Sequence, residues 1–215
     1  MGLAHKCKPK HTHSRLAMPL PKTSFIRKTT LFLVAAMLSV SVMAADFNQM
    51  QRLANQGDAN AQYNLGYMYD EGEGVQQDYA KAAEWYQKAA NQGDADAQSN
   101  LGWMYSEGQG VRQDYAKAAE WYQKAANQGH AGAPFNLGLI YSEGQGVRQD
   151  YAKAAEWYQK AANQGHAGAQ SNLGVMYEYG TGVEQNIITA KEWFGKSCDS
   201  GDQDGCDKYR MLNQK

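Results

Sequence analysis

The chain has 215 residues, with 43% hydrophobic, 20% charged and 11% aromatic side chains, 22 glycines and only 4 prolines. This excludes a disordered or collagen-like polypeptide and fits one or two soluble domains. The formal charge of -1 conceals an asymmetry: residues 1–45 hold seven of the 21 Lys and Arg and no Asp or Glu, leaving 14 basic against 22 acidic side chains in the rest. So acidic a body lacks the basic face that phosphate neutralisation needs and gives no polybasic attraction to anionic lipid, so no nucleic-acid partner is expected.

The basic start precedes an apolar run. Arg27 and Lys28 stand before an uncharged stretch over 29–45 that ends in small residues at Val42-Met43-Ala44, the pattern of a secretory signal peptide over 1–44. A membrane anchor is the alternative, but the stretch is shorter than the ~20 residues a spanning helix needs, so no stable membrane insertion is expected after cleavage. A lipid anchor would require a cysteine after the cut, where Ala45 and Asp46 stand. A start at Met18 would give the leader more usual proportions. Export places the mature chain in the periplasm or outside the cell. Cleavage removes Cys7, His5, His11 and His13, leaving Cys198 and Cys206 as an even pair in an oxidising compartment. Only His130 and His166 then remain, and neither a metal site nor a cofactor is expected.

From residue 61 the chain repeats itself. Segments 61–96, 97–132, 133–168 and 169–204 align without a gap at a period of 36, and 105–132 is identical to 141–168. Such periodicity marks a solenoid whose units bury their apolar faces on one another. Half a unit over 45–60 precedes the array as an N-terminal cap, and a fifth unit begins at Gly205, giving a C-terminal capping helix over 205–215.

Each unit reads as two helices. Ala61, Leu65 and Tyr69 fall on one stripe, predicting helix A over about 60–70. Gly66 and its equivalents Gly102, Gly138 and Gly174 sit mid-helix, where glycine costs about 1 kcal/mol relative to alanine, so a neighbouring helix must approach too closely for a Cβ. Gly72 and Gly74 break the helix, Val75 plugs the loop, and Asp78 is an N-cap. Helix B then runs over about 79–90, burying Tyr79, Ala82, Ala83, Tyr86, Ala89 and Ala90 with Trp85 at the edge. The expected fold is an all-α, right-handed superhelical solenoid of antiparallel helix pairs.

The pattern Ala-x-x-Asn-Leu-Gly-x-x-Tyr, then Gly-x-Gly-Val, then Tyr-x-Lys-Ala-x-x-Trp-Tyr-x-Lys-Ala-Ala, written over 61–90, resembles the Sel1-like repeat, a relative of the tetratricopeptide repeat. The fourth unit departs most, with Asn186, Ile187, Thr189, Phe194 and Gly195, as suits a capping repeat. The resemblance implies an adaptor that binds other proteins and has no catalytic residues of its own; it does not name the partner.

Several features that look chemical have structural readings. The Gly72-x-Gly74 motif and its copies lack the Lys-Ser/Thr of a phosphate loop. His130 and His166 stand in inter-repeat turns where Asp58 and Asp94 stand in other units, and read as surface polar residues. Trp85, Trp121, Trp157 and Trp193 read as structural. Glu84 and Lys88, with their copies, are spaced as surface i,i+4 pairs worth a few tenths of a kcal/mol.

Positions dictated by stacking repeat, so binding should lie where units differ. On helix A the strongest variation falls at two sites four residues apart: Tyr63 and Tyr67, Ser99 and Trp103, Phe135 and Leu139, Ser171 and Val175. One turn further, Asp70, Ser106, Ser142 and Glu178 vary as well. Helix A lines the concave surface of stacked helix pairs, so these residues form a ladder for a protein or peptide partner; inter-repeat packing is the competing reading. A β-lactam-binding protein or hydrolase of the cysteine-rich Sel1-like type is the alternative function, but no lysine has serine three residues before it, as Ser-x-x-Lys requires. Cys198 and Cys206 take the places of Ala90 and Gln98, which a helix-turn-helix brings together, so a disulfide is expected there, as against two free thiols. Cysteine-rich Sel1-like proteins resemble this in spacing two cysteines across the same turn, although there most units carry a pair.

Overall fold

The computed structural model describes residues 46–214; the leader assigned to 1–44 lies outside them. Ten α-helices follow one another among the described residues. Helix α1 covers 46–55, and four A–B pairs follow. They are α2 (Ala59–Glu71) with α3 (Tyr79–Asn91), α4 (Ala95–Glu107) with α5 (Tyr115–Asn127), α6 (Ala133–Glu143) with α7 (Tyr151–Asn163), and α8 (Ala167–Tyr179) with α9 (Ile187–Asp199); α10 (Gln203–Asn213) closes the series. Each helix packs on the next, giving the all-α solenoid of helix pairs expected from the repeat.

Local chemistry sets the helix ends. Asp58 Oδ1 accepts the Ala61 N–H at 2.7 Å, and Asp78 Oδ1 accepts that of Lys81 at 3.1 Å, satisfying donors that the first helical turn leaves open. Gly72 ends α2 at φ 74°, a left-handed conformation in which a Cβ is strained. The Asp78 N–H then donates to Tyr69 O at 2.8 Å and closes the loop, and Asp114, Asp150 and Asn186 close theirs on Tyr105, Tyr141 and Tyr177. The half-buried Val75 packs against the core, as a loop plug should.

The mid-helix glycines have the reason predicted for them. A Cβ on Gly66 would lie 2.7 Å from the Tyr86 ring, and one on Gly102 would lie 2.9 Å from Tyr122. In the fourth unit the ring over Gly174 is Phe194. Leu65, Leu101, Leu137 and Leu173 are buried beside these rings, so every A–B pair has the same aromatic-on-glycine keystone. Of the stripe expected on helix B, Ala82, Ala83, Tyr86, Ala89 and Ala90 are buried, while Tyr79 is half-buried at the helix start.

Units are joined by side-chain amides as well as by apolar burial. Gln62 Nε2 donates to Ala54 O and Gln98 Nε2 to Ala90 O, while Gln92 and Gln128 donate to the Oε1 atoms of Gln62 and Gln98 at 2.7 Å. Pro134 occupies this position in the third unit and has no amide to give. There α6 starts at Ala133, two residues later than the equivalent starts at Ala59, Ala95 and Ala167, with no side-chain cap on Gly132. At Cys206 the same position meets Cys198 at disulfide distance, the Cα atoms 4.4 Å apart, so a cysteine pair stands where three other junctions have the glutamine hydrogen bond.

The helix-B surface departs from expectation in one respect. No Glu84–Lys88 pair or copy of it forms among the described residues; Lys88, Lys124, Lys160 and Lys196 instead lie 3.6–4.0 Å from the ring centroids of Trp85, Trp121, Trp157 and Trp193. A cation over a partly desolvated indole face is worth about 0.5–1 kcal/mol or more, against the few tenths of an exposed i,i+4 ion pair.

Candidate functional site

The eight ladder positions separate into two rows. Tyr63, Ser99, Phe135 and Ser171 turn into the junctions between helices. Tyr63 is half-buried against Tyr86 with ring centroids 5.7 Å apart, Ser99 is 8% exposed, and Phe135 stacks on His166 at 4.1 Å while tilting against Tyr158 at 5.9 Å. The row one turn on faces outward: Tyr67 is 41%, Trp103 40% and Val175 38% exposed, with Leu139 half-buried among them.

The polar positions one turn further are taken up within the fold, two of them by the ring hydroxyl beneath them. Tyr86 Oη donates to Asp70 Oδ2 at 3.3 Å, Ser142 Oγ lies 3.2 Å from Tyr158 Oη, and Ser106 is buried with its hydroxyl on Trp103 O. Phe194 has no hydroxyl, and in that unit Glu178 pairs with Lys208 at 3.2 Å instead. Burial raises the carboxyl pKa of Asp70 and pushes the Tyr122 phenol up to about 12, as desolvation disfavours both charged forms. These side chains complete the interior rather than extend the outward row.

Two clefts open along the outward row. One of about 350 Å³ brings Trp103 of α4 together with Leu139 and Ile140 of α6, with Glu107 and Glu143 at its sides. Another of about 620 Å³ places Tyr67 and Met68 against Met50 of α1. Met50 stands in the half-unit at the register of Tyr86, where no described helix A precedes it to take up its side chain. Glu71, Glu107 and Glu143 are exposed but identical in three of the four units, with Tyr179 in the last, so comparison between the first three repeats hides them. Sequence patterning could have found the three glutamates only by asking which repeated residues remain exposed.

His166 is the N-cap of α8 and His130 stands two residues before the Gly132 N-cap of α6; both are half-buried, more enclosed than surface polar residues. His130 Nδ1 accepts from Gly132 and Ala133 N–H at 3.2 and 3.1 Å, and His166 Nδ1 accepts from Ala169 N–H at 3.2 Å. Burial lowers the pKa of His166 below its ordinary 6.5. A lowered folded-state value means the contribution of this cap to stability is complete above pH 6.5 and is lost as pH falls through the folded pKa. The melting temperature is therefore expected to drop on acidification through this window. His166→Asp, which restores the cap used at Asp58 and Asp94, should remove that component, and an unchanged acid dependence in the variant would contradict the assignment.

The repeat, the aromatic-on-glycine pairing and the closed loops agree with the family pattern. The Sel1 repeat matches residues 59–94, 95–130, 133–166 and 167–202, about two thirds of the sequence. The chain belongs to the Sel1 repeat family. Among solved structures this Sel1 repeat chain is 38% identical to c5321, a protective antigen present in uropathogenic Escherichia coli strains that displays an SLR fold, with a TM-score of 0.77 over 79% of this chain and 36% of that one. It is 36% identical to a Sel1 repeat protein from Oxalobacter formigenes, with a TM-score of 0.70 over 79% of this chain and 49% of that one. The Sel1 repeat chain thus spans about half or less of the length of these two structures. No curated protein gives a match. Among the described residues, no group of three His, Cys, Asp or Glu side chains is placed to hold a metal ion, and no helix is long and apolar enough to cross a membrane. Sel1 repeats are generally scaffolds for protein–protein interaction, so protein partners are the class this family implies.

Proposed function

We propose that the chain is an exported, non-catalytic scaffold that binds a partner protein or peptide along the concave surface lined by α2, α4, α6 and α8. Tyr67, Trp103, Leu139 and Val175 make the contacts, and Tyr63, Ser99, Phe135 and Ser171 brace them from behind. The observation that carries this reading is Trp103. It is the one tryptophan outside the repeated helix-B position, and it is 40% exposed in a cleft with Leu139, whereas the repeat-site tryptophans each lie under a lysine. A large aromatic kept in water at the centre of a concave face is the feature from which interface anchors are made. Export is supported by the leader over 1–44, and by the likeness to c5321, described as a protective antigen.

Affinity capture from a native envelope extract tests the reading. Trp103→Ala is expected to weaken the recovered complex by about 2 kcal/mol or more, roughly thirtyfold, in a protein that still folds cooperatively. Tyr67→Ala should weaken it less. If Trp103→Ala left capture intact and lowered the melting temperature, the residue would be packing and this surface would not be the binding face.

A further inference from the structure

Charge is segregated between the two layers of the solenoid. Helices α2, α4, α6 and α8 contain Asp70, Glu71, Asp96, Glu107, Glu143 and Glu178 and no Lys or Arg. Helices α3, α5, α7 and α9 carry eight lysines against four glutamates and Asp199. Asp70 is taken up by Tyr86 and Glu178 by Lys208, so the charge left open beside Tyr67 and Trp103 is that of Glu71, Glu107 and Glu143, and the helix-B lysines belong to the other layer. No described cation lies within ion-pair distance of Glu107 or Glu143.

Both glutamates line the 350 Å³ cleft that holds Trp103, Tyr115, Leu139 and Ile140, a volume at the small end of the ~300–1,000 Å³ range of ligand pockets. Indole and carboxylates facing one cleft favour a planar cation. A guanidinium stacks on an aromatic face and takes carboxylates in bidentate fashion, whereas an ammonium is a compact and strongly hydrated point charge. The half-buried Leu139 offers apolar surface to the stem of such a side chain or to an aliphatic neighbour.

We propose that the cleft between α4 and α6 takes an arginine of a basic, leucine-containing segment of the partner, its guanidinium laid on Trp103 and paired with Glu107 and Glu143. The proposal rests on the reading of the helix-A surface as the binding face and adds the chemistry of what binds there. Field lines from the unbalanced acidic layer would also draw such a segment in, so association should slow as salt is raised.

The test uses the full chain and two fluorescent synthetic peptides, one of repeated Arg-Leu-Gly triplets and one with citrulline, which keeps the shape and removes the charge, in place of every arginine. The arginine peptide should bind about tenfold more tightly than the citrulline peptide at low salt, and the Glu107→Gln, Glu143→Gln double variant should remove that difference without changing the melting temperature. A control double variant on the other layer, Glu120→Gln with Glu156→Gln, should leave it in place. Equal binding of the two peptides, no binding of the arginine peptide, or an equal loss in the control pair would each overturn the proposal. Citrulline-peptide binding that Trp103→Ala abolishes would retain the face while refuting the arginine site. Failure of the face itself is read separately, from envelope capture that is indifferent to Trp103→Ala.

Discussion

Tyr122→Ala is expected to destabilise the chain by about 3–5 kcal/mol, the usual cost of deleting a fully buried aromatic side chain. Tyr122 is 2% exposed and lies on Gly102 at the centre of the array, so its loss empties the contact on which α4 and α5 meet. In a chain of this size that corresponds to a fall in melting temperature of roughly 10 °C. The complementary change, Gly102→Ala, sets a gain of about 1 kcal/mol in helix propensity against overpacking worth about 1–3 kcal/mol, so it should be mildly destabilising rather than stabilising. Tyr158→Phe should cost only about 1 kcal/mol, because it removes the hydroxyl facing Ser142 and keeps the ring, as Phe194 does in the fourth unit. Thermal and urea unfolding followed by circular dichroism rank the three. A Tyr122→Ala protein that melts within a degree or two of the parent would falsify the keystone role.

Reduction of the Cys198–Cys206 link is expected to release α10 selectively. The link closes a short loop, with a chain-entropy contribution of about 2.5 kcal/mol whose mechanism is disputed. The helix it secures buries only Gly205 and has a single stacking neighbour, α9. Terminal units of a solenoid fray first because each unit is held by its neighbours alone. In Cys206→Ser, amide exchange over 203–213 should rise towards that of an unprotected segment, while α4 to α7 keep their protection. Ser197, whose hydroxyl donates to Asp202 Oδ2 at 2.6 Å, and the Lys208–Glu178 pair at 3.2 Å are then the polar ties left to the terminal segment. Mass spectrometry of protein recovered from the envelope or culture fraction, alkylated without reduction, checks the bond and the leader together. The expected product begins at Ala45 and carries two cysteines that alkylate only after reduction. Material that starts at Met1 or Met18 would remove the export reading, and two thiols that alkylate at once would remove the disulfide.

Helix order, the A–B pairing and the close approach at Gly66, Gly102, Gly138 and Gly174 were determined by the sequence itself. A 36-residue period states the same instruction four times, so glycine retained where glycine is unfavourable can be read only as a steric requirement. The Asp caps and glycine stops are likewise local, each acting within a few residues of itself. What the tertiary structure decided concerns partners far apart in the chain. Asp70 and Ser142 meet ring hydroxyls sixteen residues on and Glu178 meets Lys208, and no local pattern separates positions with such distant partners from positions free to bind. That Lys88 lies over Trp85 and not beside Glu84 likewise appears only in the folded helix. Of the ladder, only the assembled helices distinguish Tyr67 and Trp103, left facing solvent, from Tyr63 and Phe135, turned into neighbouring rings, because a one-turn step along helix A passes from the face open to solvent to the edge that the next unit covers. The acidic character of that open face needed the fold as well: Glu107 and Glu143 are 36 residues apart in sequence, and stacking alone brings them to one cleft.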